Sequence, residues 1–289
     1  MTTYRVVTTA HREGWKRFGQ AGVQSFLDHW DARISLTIYT EGYEAPSHPR
    51  ITSLDVHDDT QPAGWLSAFK LRHSDAELGK GKPKPRDRWR AVAWAHDVVI
   101  SVDACKRGGA DIIIQLNADV ITHSTVTPEW LDSLMQPGSG LGLLKRLPVS
   151  GADYPECGFV AFDLRHPCLM HVLDLWVEQY TTDAIFQLDG WTDAHALLRA
   201  IDIHHRHDHR HRCTRPLTFS LSGGFETHPH PFINGPLGAK MDHRKGSKRK
   251  ELGASFEGDV KGKRVEPYWK DIARKAQEAA LRKAQEKSE

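Results

Sequence analysis

Residues Ala110 to Ile121 read ADIIIQLNADVI, and this stretch decides the fold. Its apolar run is too short for a typical helix and is rich in β-branched residues. Ile112, Ile113 and Ile114 therefore predict a buried, parallel strand covered on both faces. The run ends in Asn117-Ala118-Asp119, ahead of a second short apolar pair. Open α/β sheets bind ligands outside the carboxyl ends of their strands, which is where this polar cluster falls. Two oxygen-bearing side chains separated by one residue suit a hard divalent cation that keeps some waters and takes phosphate oxygens. A strand followed by an Asx-type turn explains the same residues without a ligand. On this stretch alone both readings stand.

Upstream, Tyr4 to Ala10 is a short β-branched run and the expected first strand. From His11 to Trp30, apolar residues Trp15, Phe18, Val23, Phe26 and Leu27 recur at helical spacing. Ile34 to Tyr39 is the next strand, ending at Thr40-Glu41-Gly42. Strand, helix, strand in so short a span predicts a βαβ unit and a parallel sheet. Thr8, Thr9, Ala10 and Glu41 would then share a rim with Asn117 and Asp119. A short strand is expected at Ile51 to Val56, and Gly79 to Arg88, with two prolines, reads as an exposed basic loop. The helix expected over Trp89 to Lys106 stops at Gly108-Gly109 and feeds the deciding strand.

Downstream, Thr127-Pro128-Glu129 caps a short helix through Met135. Gly140 to Leu144 and Gly158 to Asp163 read as strands, and His166 to Tyr180 and Gln187 to Ala200 as helices. His204 to Arg212, HHRHDHRHR, invites a metal reading, but arginine among the would-be ligands opposes a cation, and an exposed strand or loop fits equally. The tail from Pro267 is a helix of thin apolar content, which either docks through Tyr268, Trp269 and Ile272 or projects into solvent.

At 289 residues the chain can bury a substantial core, and its 39% hydrophobic content is that of a soluble globular protein. No run is long enough to span a bilayer and the N-terminus lacks a signal-peptide pattern, so a cytoplasmic location is expected. The four cysteines form no C-x-x-C pair, which argues against a zinc ribbon and fits free thiols in a reducing compartment. Net charge is only +2, yet residues 240–250 carry six Lys/Arg. Basic segments 79–90, 240–250 and 261–287 imply a phosphate-bearing partner.

The second informative stretch is Asn234 to Ser255, NGPLGAKMDHRKGSKRKELGAS. His243 can complete a metal site begun by carboxylate and amide oxygens, while Lys245 and a close backbone approach at Gly246 hold phosphate oxygens. The βαβ opening, the strand ending in an acidic motif and the late His243, Gly246, Arg249 element together resemble the GT-A class of nucleotide-sugar glycosyltransferases. The late element is similar to that of the glycogenin and galactosyltransferase-like branch, and the stretch MDHRKGSKRKELGAS looks closer still to uncharacterised phage-encoded transferases.

The resemblance implies an α/β, Rossmann-like GT-A fold over residues 1–258, a mostly parallel mixed sheet flanked by helices, with a basic helical extension at 259–289. It also implies Mn2+ or Mg2+ held by Asp119 and His243, and a nucleotide-diphosphate sugar, UDP-linked in the first instance, as donor. Thr8, Thr9, Ala10, Glu41, Asn117, Lys245, Gly246 and Arg249 are the donor-side candidates. Asn117 stands where the family usually has a first aspartate, and Arg249 where it has lysine.

Asp189 and Asp193, on either side of Trp191, are the catalytic candidates, expected on one face of a helix; their alternative is a helix N-cap and a first-turn acid. Glu156 and Trp191 are the acceptor-side candidates. The acceptor hydroxyl is open, with a hydroxymethylated base in phage DNA, in the host cytoplasm, one expectation. Two rival readings are a nucleotidyltransferase, for which Thr8 to Trp15 is a poor phosphate loop, and a non-catalytic nucleic-acid-binding protein.

Overall fold

The computed structural model describes residues 1–57, 63–73, 85–148, 154–211, 213–261 and 264–286. Strand β1 (Tyr4–His11) runs into α1 (Arg12–Gly14), a π-helical turn and α2 (Gln20–His29). Next come β2 (Ser35–Glu41), β3 (Ile51–Asp55), α3 (Ala63–Arg72), α4 (Pro85–Arg107), β4 (Ile112–Leu116) and β5 (Val120–Thr122). The middle of the chain supplies α5 (Pro128–Leu134), β6 (Leu141–Leu144), β7 (Glu156–Asp163), α6 (Leu169–Thr181), α7 (Asp193–His211) and β8 (Thr218–Ser220). The last part contains α8 (Pro231–Asn234), β9 (Met241–His243), α9 (Ser247–Leu252) and α10 (Pro267–Glu286).

The main sheet has the order β3-β2-β1-β4-β7-β6-β8. Strands β1, β2, β3 and β4 are mutually parallel where they pair, and β6 pairs with β8 in parallel. Strand β7 is antiparallel to both β4 and β6. The expectation of a parallel β4 therefore holds on its β1 side and is corrected on the other. Every residue of β4 is buried. Ile112 and Ile114 enter the core formed with α2 and α10, whereas Ile113 enters the core formed with α4, α6 and α7, as strand alternation requires. Each such fully buried isoleucine contributes about 1.5–3 kcal/mol.

Glycines end α4 where expected: Gly108 and Gly109 have φ of 65° and 83°. The Thr127 hydroxyl accepts from the Trp130 N–H and caps α5. The last helix docks: Trp269 is buried and its indole donates to the Gly238 carbonyl at 2.7 Å, while the Tyr268 hydroxyl donates to Asp242 at 2.7 Å.

Four expectations are corrected. Pro85 to Arg88 belong to α4 rather than to a loop, since proline fits the first helical turn; the earlier part of that segment, 79–84, lies outside the described residues. Helix α7 begins at Asp193, so Asp189 sits exposed in the preceding bend and the two acids do not share a helix face. The histidine run from His204 to His211 is the end of α7, not strand or loop, with Arg212 outside the described residues. Finally, Cys168 and Cys213 are joined in a disulfide, whereas Cys105 and Cys157 are free. Folding brings the start of α6 beside the segment leaving α7, a juxtaposition that a sequence separation of 45 conceals. Among the described residues no helix is long and apolar enough to cross a membrane.

Candidate active site at the sheet switch point

Strand order reverses between β1 and β4, which carry the chain outward in opposite directions, and α/β sheets open a crevice at such a point. A cleft of about 550 Å³ lies there, lined by Thr9 and Ala10 from β1, Glu41 from β2 and Asn117, Ala118 and Asp119 beyond β4. Helix α4 adds His96 and Asp97, α3 adds Lys70, and α9 adds Lys250.

The Asn117 to Val120 turn is built tightly. The Val120 N–H donates to the Asn117 carbonyl at 3.0 Å, and the Asn117 N–H donates to Gly158 of β7 at 3.1 Å. Gly22 of α2 lets the helix approach, because a Cβ there would stand 2.4 Å from the Ala118 carbonyl oxygen. The Asx-turn reading and the ligand reading of this stretch are therefore compatible: the turn aims Asp119 inward.

Strand β5 pairs antiparallel with β9, setting Val120 opposite His243. His243 Nε2 then lies 3.3 Å from Asp119 Oδ1, and His243 Nδ1–H donates to Glu156 at 2.8 Å. All three side chains are buried. His230 adds a second contact to Glu156 at 3.1 Å and reaches the His243 carbonyl at 3.3 Å.

The electrostatics follow from the burial. Desolvation opposes charge on His243, but Asp119 and Glu156 on either side outweigh it and raise its pKa to about 9. Desolvation pushes Asp119 up, yet His243 and Lys250 hold it below the usual carboxylate range. The Lys250 ammonium sits 2.8 Å from Asp119 Oδ2 and 4.2 Å above the centre of the Phe18 ring. Asp119 Oδ1 is buried and accepts no hydrogen bond. That orphaned oxygen beside an imidazole nitrogen, with the far side of the ring held by a carboxylate, fits a divalent cation.

A second charged group flanks the cleft. Lys70 donates to Glu41 Oε1 at 2.6 Å, and His57 and His96 approach the same oxygen at 3.2 and 3.3 Å. His96 foremost, then Lys70, keeps Glu41 below its ordinary range against the pull of burial.

Asp193 is fully buried; desolvation lifts its pKa to about 6, against the Ala194 N–H and the Cys157 thiol. Desolvation likewise raises Asp97, reinforced by Asp193 and Asp119. The cleft-lining carboxylate of α4 and the helix-first acid of α7 thus share one electrostatic environment.

Of the residues singled out from sequence, Thr9, Ala10, Glu41, Asn117 and Asp119 line the cleft, and His243 reaches Asp119 from behind. Thr8 is buried beneath the turn. Lys245 reaches Glu156 at 3.5 Å, and Gly246, with φ of 81°, precedes α9. Glu156 faces His243 rather than open space. The Trp191 indole donates to the Leu188 carbonyl and its ring packs on Phe186, within the core cluster of α6 and α7. Arg249 is held by Asp259 at 2.6 Å, while its neighbour Lys250 enters the cleft. Lys70, His96, Asp97 and Lys250 are among the cleft residues that sequence reasoning passed over. Asp97 shares its helix with other charged residues, Asp103 among them, and Lys250 was hidden in a run of cations.

No family model matches the chain, and no curated protein matches it. Among solved structures, mouse xyloside xylosyltransferase 1 in its apo form aligns over 75% of this chain and 84% of that one. The two are 12% identical, with a TM-score of 0.44. A likeness of that size bears on neither substrate nor mechanism.

Proposed function

We propose that this protein is a glycosyltransferase that moves a sugar from a nucleoside diphosphate donor to an acceptor hydroxyl. The observation that carries the reading is the convergence of Asp119, His243 and Lys250 at the floor of a cleft on the strand switch point. The sequence resemblance to GT-A enzymes points the same way.

Asp119 Oδ1 and His243 Nε2 would hold a divalent cation, with the amide oxygen of Asn117 as a neutral third candidate. Such an ion supplies positive charge to a departing diphosphate. Glu156 orients His243 by accepting its Nδ1–H, which keeps Nε2 directed at Asp119. Lys250 adds a fixed cation at the same place, and charge stabilisation of this kind is worth more in a cleft than in water. In the transfer, the anomeric carbon loses its bond to the diphosphate and gains one to the acceptor oxygen. The acceptor proton passes to a base, for which Asp97 lines the cleft and Asp193 backs it. Asp189, exposed outside the cleft, is the weaker of the two acids first considered.

The basic segments lend a DNA acceptor little support. Within 240–250, Arg244 is buried and donates to the Asp119 carbonyl, Arg249 pairs with Asp259, and Lys250 pairs with Asp119. In α10, Arg274 and Lys275 pair with Asp271 on their own helix.

Incubation with a panel of nucleotide sugars, with and without Mn2+, tests the proposal by counting free nucleoside diphosphate. Metal-stimulated release from one donor, lost in His243→Ala, is the expected result. No release from any donor, with glycan, protein and DNA acceptors present, would overturn it.

A further inference from the structure

Among the described residues, three groups of acidic, histidine or cysteine side chains gather their donor atoms closely enough to hold a metal ion. In two of them a lysine already supplies positive charge: Lys70 on Glu41, and Lys245 on Glu156. The third, His166, Cys168 and Cys213, is different in kind and lies outside the cleft lining described above. It offers two sulfurs and one imidazole.

We infer that His166, Cys168 and Cys213 form a zinc site when the two cysteines are reduced, with the disulfide as the oxidised state of the same pair. The donor atoms lie within 4.8 Å of one another. Ligand atoms on a tetrahedral zinc stand roughly 3.3–3.8 Å apart, given Zn–S of about 2.3 Å and Zn–N of about 2.0 Å. The Cα atoms of the cysteines are 6.5 Å apart, near the wide end of the range for bridged pairs. That leaves room for the sulfurs to part onto one ion.

The site is built rather than incidental. His166 and Cys168 are buried, 4% exposed each, and Cys213 is half-buried. The Cys168 N–H donates to His166 Nδ1 at 3.3 Å, so Nδ1 carries the lone pair and is the nitrogen that would turn to the ion in place of this bond. Gly140 makes space for that ring, since a Cβ there would meet it at 2.9 Å. The sequence carries the pattern H-x-C twice, His166-Pro167-Cys168 and His211-Arg212-Cys213. Two thiolates and one imidazole leave the fourth tetrahedral position to a water. An ion held by these three residues would tie the start of α6 to the chain leaving α7.

Binding converts two thiols to thiolates and releases two protons per zinc, with no change of oxidation state. The experiment uses the full chain, reduced with a phosphine and kept anaerobic. The reduced wild type is expected to retain one zinc per chain through dialysis, with the Cys168 and Cys213 thiols shielded from a maleimide. Cobalt in place of zinc should give a sulfur-to-metal charge-transfer band, lost in Cys168→Ser and in Cys213→Ser but kept in His243→Ala. His166→Ala should weaken cobalt binding at least tenfold. A reduced wild type with no such band, or whose thiols react equally fast with and without zinc, would overturn the site. These readouts do not depend on the transferase reading.

Discussion

A Cβ on Gly158 would stand 2.5 Å from Nδ1 of His243, so the imidazole occupies the space that a side chain on β7 would fill. Glycine is required here for close approach rather than for backbone conformation. Gly158→Ala must displace the ring and break its bond to Glu156. It is expected to cost about 1–3 kcal/mol of stability through overpacking and to reduce donor hydrolysis as severely as His243→Ala. Thermal melting and diphosphate release measure the two effects; full activity in Gly158→Ala would detach His243 from the chemistry.

Lys250 and Arg249 are neighbours with separate tasks. Lys250→Ala removes the cation facing Asp119 and is expected to lower turnover about a hundredfold. Arg249→Ala breaks the pair with Asp259 and is expected to cost about 1–3 kcal/mol, read as an earlier unfolding midpoint in denaturant. A reversed pattern would return the diphosphate contact to Arg249.

Asn117 supplies an amide where a carboxylate would bind a cation more tightly. Asn117→Asp is expected to lower the Mn2+ concentration for half-maximal activity by at least tenfold. Titration of activity against Mn2+ decides this, and an unchanged requirement would place Asn117 outside the coordination set.

His123 stacks on Tyr268 with ring centres 4.2 Å apart, where α10 meets β5 and β9. Burial is the main cause that lowers its pKa from 6.5 to about 4, opposed by Asp242, the Gly238 backbone and Glu266 and assisted slightly by His29. The unfolded chain therefore takes up a proton near pH 6.5 that the folded chain refuses until about pH 4. This histidine's share of stability is complete above pH 6.5 and declines as pH falls toward 4. Unfolding midpoints of wild type and His123→Gln, compared across that window, should converge as the pH drops. Parallel curves would show that His123 does not titrate with folding.

The opening βαβ unit, the deciding strand and the helix before it were legible because each rests on local information. Apolar periodicity and β-branched runs report which faces are buried, and Gly108-Gly109 and Thr127-Pro128 mark ends by their own backbone chemistry. Asp119 and His243 were legible as a pair only through resemblance, since 123 intervening residues separate them and spacing says nothing at that range.

Asp97 and Lys250 were not legible. Nothing in a helix of mixed polarity tells which charged residue faces a cleft, and nothing in KGSKRK tells which cation enters it. The disulfide was equally hidden.

What the sequence determined by itself was the order and type of the central elements, because hydrophobic patterning and turn chemistry act over a few residues. Which charges meet was decided only by the tertiary structure. Packing β5 on β9, and α9 beneath Phe18, brings His243 and Lys250 onto Asp119. Burial then sets the protonation of each, a property that no isolated segment possesses.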